Sequence, residues 1–241
     1  MSLLAQTPPR RAIEIVDSSF RFYRTHAPEL LVLAALLLVP PILLRAIMPA
    51  GIGIVLQFLS NLMLIVCQAA TAVLVAGALE SDRAVSAGDA IRGLGARSGS
   101  AIVVAIASGI MVALGMILLL VPGFIAASWT MVAVPVVAIE GLTGFSAIKR
   151  SRELARGHLW HVLGTMFIAW IIVFCIVFGG AIALGMLLGL LHIAGGFSEL
   201  IGGLLLVPIF PLVGVASALL YYDLRVRRDG ADVAALADGL V

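Results

Sequence analysis

The residues of this chain best placed for chemistry are His158 and His161, three apart and close to Glu153 and Arg156. On a helix that spacing puts both imidazoles on one side, where they could take a metal ion or, with Arg156, a phosphate group. A wet helix end accounts for the same residues, and it is the preferred reading because nothing else converges on them. The chain has no His-Glu-x-x-His, no nucleophile-elbow Gly-x-Ser-x-Gly, no phosphate-binding Gly-x-x-x-x-Gly-Lys-Ser/Thr and no Cys/His zinc spacing, the patterns that hydrolytic, nucleotide or metal chemistry requires. Cys67 and Cys175 fall inside apolar runs, where a cysteine behaves as a small hydrophobe. No catalytic residue, cofactor or metal-ligand set is therefore expected.

A second polar set has a different character. Gln57, Asn61 and Gln68 are three of the four carboxamides in the chain, and all lie in one apolar run. At about 100° per residue, Asn61 falls roughly 40° and Gln68 roughly 20° from Gln57 around a helix, with Ser60 and Thr71 beside them. Such a stripe either ties helices together, at about 0.6 kcal/mol per hydrogen bond, or lines a hydrated path for a small ligand. Packing is the expected role, with each amide paired to another span.

Both sets must be positioned by helices in lipid. The chain is 62% hydrophobic and 12% charged, against about 45–50% and about 25% in soluble domains. It reads as an all-α, polytopic membrane protein of six transmembrane helices, at about 30–48, 54–79, 101–121, 124–139, 159–191 and 200–222, with cytoplasmic amphipathic surface helices between them. Residues 1–28 form a polar lead-in, in which Pro8 and Pro9 suit a helix start. Ile13, Val16, Phe20 and Tyr23 recur there at helical spacing opposite Glu14, Asp17, Arg21 and Arg24, the pattern of a helix lying on the membrane. Pro40 and Pro41 should kink the first span, Arg45 should snorkel to its far interface, and Pro49 to Gly53 is a tight turn. AGDAIRGLGAR, in the connection Ser81 to Ser98, reads as a short surface helix. Pro122 and Gly123 read as the turn between the third and fourth spans, and Trp129 as a packing or anchoring residue in the fourth. The run 159–191 is too long for one upright crossing, so it must bend or tilt. Gly179 and Gly180 are its flexible point, and Ala181, Gly185 and Gly189 offer a face for close helix contact. Residues 223–241 are a polar tail.

The basic residues orient these spans. Four precede the first span (Arg10, Arg11, Arg21, Arg24), three lie in the second connection (Arg83, Arg92, Arg97), four in the central one (Lys149, Arg150, Arg152, Arg156) and three in the tail (Arg225, Arg227, Arg228). Only Arg45, of 15, falls on the other side. An even number of spans with both termini cytoplasmic follows from the positive-inside bias. The ionisable residues Glu29, Arg45, Glu80, Glu140, Glu199 and Asp223 mark span edges, and none stands at mid-membrane as a proton-coupled carrier normally requires. Ala-Ile recurs at Ala12, Ala90 and Ala147, each time opening a basic segment before a pair of spans, which suggests a threefold repeat.

The segments LLLVPGFIAASWTMVAVPVVAIEGLTGFSAIKRSRELARGHLWHVLG (Leu118 to Gly164), LLYYDLRVRRDG (Leu219 to Gly230) and DSSFRFYRTHAPELL (Asp17 to Leu31) resemble the membrane domain associated with bacterial glycerophosphoryl diester phosphodiesterases and its stand-alone relatives. The likeness covers most of the chain in order. Arg152 departs from it, standing where the family is expected to carry an aromatic residue, and no catalytic barrel follows within these 241 residues. In the two-domain relatives that barrel holds the hydrolytic residues, so the resemblance implies no catalytic residue here. It implies a module of the bacterial cytoplasmic (inner) membrane.

The chain is therefore expected to be a noncatalytic anchor, scaffold or partner-binding subunit. Its expected partners are the lipid bilayer, anionic lipids at Lys149, Arg150, Arg152 and Arg156, and another membrane protein, with no nucleic acid. The alternative is a transport or lipid-handling protein that uses the polar face of Gln57, Asn61 and Gln68.

Overall fold

The structure, a computed structural model, describes residues 11–48, 50–80, 86–95, 97–190 and 196–238. Pro8, Pro9, Arg10, Pro49, Ser81, Arg83, Leu191 and the last three residues of the tail lie outside them. Among the described residues all regular structure is helical. The elements are α1 (Ala12–Thr25), α2 (Ala27–Ile47), a single 3-10 turn (Ala50–Ile52), α3 (Gly53–Glu80), α4 (Ala87–Leu94), α5 (Arg97–Leu118), α6 (Leu120–Thr130), α7 (Ala133–Glu140), α8 (Gly144–Ala155), α9 (Leu159–Leu190), α10 (Gly196–Leu206) and α11 (Phe210–Asp238). Six passages are long and apolar enough to cross a membrane: Ala27–Arg45, Gly53–Glu80, Arg97–Leu118, Leu120–Glu140, Leu159–Leu190 and Leu200–Arg228.

The element order repeats three times as a short helix followed by two apolar passages: α1 before α2 and α3, α4 before α5 and α6–α7, α8 before α9 and α10–α11. In each unit the second passage is the inner one. Half of the residues in the apolar windows of α3, α6–α7 and α10–α11 are buried, against 28% in α2, 17% in α5 and 11% in α9. The most apolar passage, α9, is the least buried. That is the arrangement expected when lipid is the solvent, because hydrocarbon surrounds Leu and Ile as well as protein does, and helices associate through close packing instead.

Small residues make that packing. A Cβ at Gly214 of α11 would stand 2.9 Å from the Thr71 Cβ of α3, so only glycine lets these two inner helices meet there. Gly115 and Gly123 do the same between α5 and α6, where a Cβ on Gly115 would reach the Gly123 Cα at 2.9 Å. The turn joining these two helices lies at Leu119, the one extended residue between them (φ −168°, ψ 146°). It was expected at Pro122 and Gly123; Pro122 instead sits in the first turn of α6, where its missing N–H leaves no bond unmade.

Two inner passages are broken near prolines. The fourth breaks at Met131 and Val132, just before Pro135, and the sixth at Val207 to Ile209, around Pro208 and before Pro211. Pro40 and Pro41, by contrast, stay inside α2. α9 is continuous over 32 residues, about 48 Å at 1.5 Å per residue, so Gly179 and Gly180 do not interrupt it, and a core of about 30 Å requires it to tilt or curve as a whole. Ala181, Gly185 and Gly189 are exposed, and both glycines face open space. The close helix contact expected there is not made among the described residues.

The lead-in helix is also corrected. α1 buries Ile15, Val16 and Ser19 and leaves Ile13 exposed at 65%, so its inward face is turned from the stripe of Ile13, Val16, Phe20 and Tyr23. Val16 packs with Ala169 of α9 and Ala216 of α11, and the Tyr23 hydroxyl donates to the Pro208 carbonyl at 2.7 Å. The break around Pro208 thus finds a donor on α1, and burial raises the Tyr23 phenol above its ordinary pKa, keeping it a donor. α4 forms as expected, with the Ser86 side chain accepting from the Asp89 N–H at 3.1 Å.

Candidate functional site

Each inner passage brings a carboxylate to the same end of the bundle: Glu80 closes α3, Glu140 closes α7, and Asp223 lies in α11. Two adjacent tyrosines of α11 connect them. Tyr221 is fully buried and donates to Glu140 Oε1 at 2.8 Å, while Tyr222 donates to Glu80 Oε1 at 3.0 Å. Arg150 Nε of α8 meets both Glu140 oxygens, at 3.2 and 3.1 Å. Asp223, with a side chain only 4% exposed, holds His161 Nε2 at 2.9 Å and Arg227 Nε at 2.7 Å on the same oxygen. Taking carboxylates out of water is costly unless charged donors satisfy them, and the two that are withdrawn, Glu140 and Asp223, are met by Arg150 and Arg227, whereas the Glu80 side chain stays 46% exposed.

The short helix α8 is fixed to this end by backbone groups as well. Ser151 donates to the Trp129 carbonyl at 2.6 Å, next to the break in the fourth passage. The Arg152 guanidinium lies 4.2 Å from the Trp129 ring centroid, a cation–π contact. Trp129 therefore packs. Of the four expected lipid or partner contacts, Arg150 is committed to Glu140 and Arg152 leans on Trp129, while Lys149 and Arg156 are exposed. Phe145 (85%), in the first turn of α8, and Trp160 (87%), beyond its end, are exposed.

His158 and His161 do not share a site. His161 is bound to Asp223, whereas the buried His158 Nδ1 has no hydrogen-bond partner among the described residues. Among the described residues no group of three His, Cys, Asp or Glu is arranged to hold a metal ion.

At the opposite end, the polar stripe of α3 divides. Thr71 is buried, bonds back to the Cys67 carbonyl at 2.8 Å and packs on Gly214. Gln68 is half-buried and away from the cavity that its neighbours line. Gln57 and Asn61 are exposed to that cavity, of about 330 Å³, which opens between α2, α3, α10 and the start of α11. Arg45 joins them there: its guanidinium donates to Gln57 Oε1, and Gln57 Nε2 stands 3.5 Å from Asn61 Oδ1. The walls are Leu38, Pro41, Ile42, Leu64, Leu206 and Phe210. The expectation that all three carboxamides pair with another span is met only in part, by Arg45 with Gln57.

The sequence reading of Glu80, Glu140 and Asp223 as span edges does not pair the two glutamates with Tyr222 and Tyr221. The available signal was an acidic residue ending each second apolar passage, Glu80, Glu140 and Asp223. Arg45 was read as a snorkelling residue because nothing local to it names Gln57, twelve residues on, as its acceptor.

Fold and sites together define a helical, multi-pass membrane protein with a closed polar end and an open one. Comparison with family models, curated proteins and solved structures finds no match to this chain.

Proposed function

We propose that the chain is a noncatalytic module of the bacterial cytoplasmic membrane, an anchor or scaffold that holds a basic surface helix at a fixed place on the cytoplasmic side. The observation that carries this reading is the hydrogen-bonded end of the bundle. Arg150 and Ser151 tie α8 to the fourth passage, and Tyr221 ties Glu140 in turn to the sixth, while Lys149, Glu153 and Arg156 are left exposed, with Arg152 at the rim. Polar bonds spent on position rather than on a reacting group suit a platform. The resemblance of Leu118–Gly164 and Leu219–Gly230 to the phosphodiesterase-associated membrane domain supports the same reading, with α1, α4 and α8 as amphipathic elements at the cytoplasmic interface and both termini on that side. Lysine and arginine near an anionic leaflet each contribute about 1 kcal/mol of attraction.

Reporter fusions and cysteine labelling test the orientation: positions near Arg92, Arg152 and Arg228 should label from the cytoplasm and Gly51 and Leu119 from outside. Labelling of Arg152 from outside removes the reading. Replacing Lys149, Arg152 and Arg156 by Gln, with Arg150 kept, should reduce retention of anionic lipid severalfold; unchanged retention would leave protein partners as the surface's use. The alternative, lipid handling, is favoured by one separate observation, the open cavity at Arg45.

A further inference from the structure

Pro208 and Pro211 carry no N–H, so the carbonyls they would serve in a helix, on Leu204 and Val207, lose their regular donors. Leu204 turns to the Val207 N–H at 3.3 Å, Leu206 takes that of Ile209 at 2.9 Å, and Ile209 takes that of Leu212 at 3.1 Å. Leu212 would serve Pro208 in an unbroken helix, and the Tyr23 hydroxyl of α1 stands in for it at 2.7 Å. The break in the fourth passage is treated alike: the Trp129 carbonyl beside it receives the Ser151 hydroxyl of α8 at 2.6 Å. In both cases a short helix reaches a broken passage with one hydroxyl.

The two breaks differ in the helix that precedes them. α6, before the first, is clamped on α5, where a Cβ at Gly115 would stand 2.9 Å from the Gly123 Cα. α10, before the second, is held more loosely. None of residues 200–206 is buried, whereas α11, after the break, buries Val215, Ala218, Leu220 and Tyr221 completely. Gly203 meets Ile42 of α2, with 3.0 Å between a Cβ and Ile42 Cγ2, but a Cβ at Gly202 meets only Leu184 of α9, at 3.9 Å. α10 also forms one wall of the cavity, through Leu200, Gly202, Gly203 and Leu206.

We propose that α10 is a door of this cavity, hinged at the break around Pro208 and latched in the position seen here by the Tyr23 hydroxyl. A hinge needs a few residues at the end of an element that absorb a change in φ and ψ, and residues 207–209 already stand outside the α-helical ladder. The latch reaches that joint from an element seated on its fixed side, since α1 packs through Val16 on Ala216 of α11 and Ala169 of α9. Without the Tyr23 bond the Pro208 carbonyl must turn toward another donor, and rotation of that peptide swings α10 relative to α11. Because α10 walls the cavity, its swing sets how wide the cavity opens, and Tyr23 puts that opening under the control of α1. Loss of the Ser151 bond has no such consequence, because α6 stays clamped by its glycines.

The device stands apart from the α8 platform, and either can fail alone. The full chain, with Cys67 and Cys175 replaced by Ala, carries spin labels at Leu205→Cys of α10 and Ile117→Cys of α5, both exposed positions, and double electron–electron resonance reads the distance between them. One distance should dominate in this parent. Tyr23→Phe should raise the population of a second distance about fivefold, the factor that one hydrogen bond carries, and Ser151→Ala should not. Adding Pro208→Ala and Pro211→Ala to Tyr23→Phe restores the two missing N–H groups and should return the parent distribution. The parent distribution in Tyr23→Phe would overturn the proposal, as would an equal shift in Ser151→Ala or no return with the two alanines. Labels at Ile117 and Phe145, a pair that does not include α10, should keep their distance in Tyr23→Phe; broadening there would mean that the whole bundle loosens and would overturn the hinge.

Discussion

The two ends of the bundle handle polar groups in opposite ways. At the basic end Glu80, Glu140 and Asp223 receive donors from other parts of the fold, Tyr222, Arg150, Tyr221 and His161, and the result is closed. At the other end Arg45 donates to Gln57, Gln57 stands 3.5 Å from Asn61, and all three line an open cavity. Polar groups satisfied between helices set how helices pack. Polar groups that line a void stay reachable from outside the bundle, and that distinction separates the closed end from the open one.

Breaking the closed end should have the largest effect. Asp223→Asn removes the charge that both His161 and Arg227 address at a side chain only 4% exposed, and stranding a buried charged partner costs about 3–5 kcal/mol. A large drop in melting temperature in detergent is expected, and an Asp223→Asn protein as stable as wild type would mean the network does not hold the bundle.

Next comes the inner seam. Gly214→Val places a branched side chain where even a Cβ would lie 2.9 Å from Thr71, and overpacking of this kind costs about 1–3 kcal/mol. Thermal unfolding of this variant against Gly202→Leu separates a tight glycine from an open one, and equal melting temperatures would deny the difference.

The open end should be tolerant. Asn61→Leu, at a side chain that meets Gln57 Nε2 at only 3.5 Å, should shift stability by less than about 1 kcal/mol. A larger loss would return Asn61 to a packing role and shrink the contrast between the two ends.

The smallest effect is expected on α9. Gly185 and Gly189 meet nothing within 4 Å, so Gly185→Leu should leave stability unchanged or raise it slightly, glycine being about 1 kcal/mol worse than alanine in a helix. A loss of stability that depends on protein concentration would reveal a second chain on this face.

Much of this architecture is legible in the chain itself. Six apolar passages, short helices around Ala90 and Ala147, and basic residues grouped in the same connections follow from hydropathy, caps and charge, all properties of neighbouring residues. The threefold order of one short and two long helices was visible as no more than a recurring Ala-Ile dipeptide. The direction in which α1 turns was misread because Ile13 and Ile15 are both apolar, and only the surface presented by α9 and α11 selects Ile15 and Val16 for burial.

Sequence alone determined the class of the protein and its number of passages, because a lipid solvent demands long apolar helices whatever their neighbours are. Which passages stand inside depended on tertiary structure. Apolar side chains gain little by leaving lipid, so burial is decided by where Gly214, Thr71, Gly115 and Gly123 allow backbones to approach, and by which distant donor reaches each carboxylate. The pairing of Arg45 with Gln57 and the cavity beside them belong to the same level. They arise from how α2, α3 and α10 diverge at one end, and no local pattern in the chain encodes the space between helices.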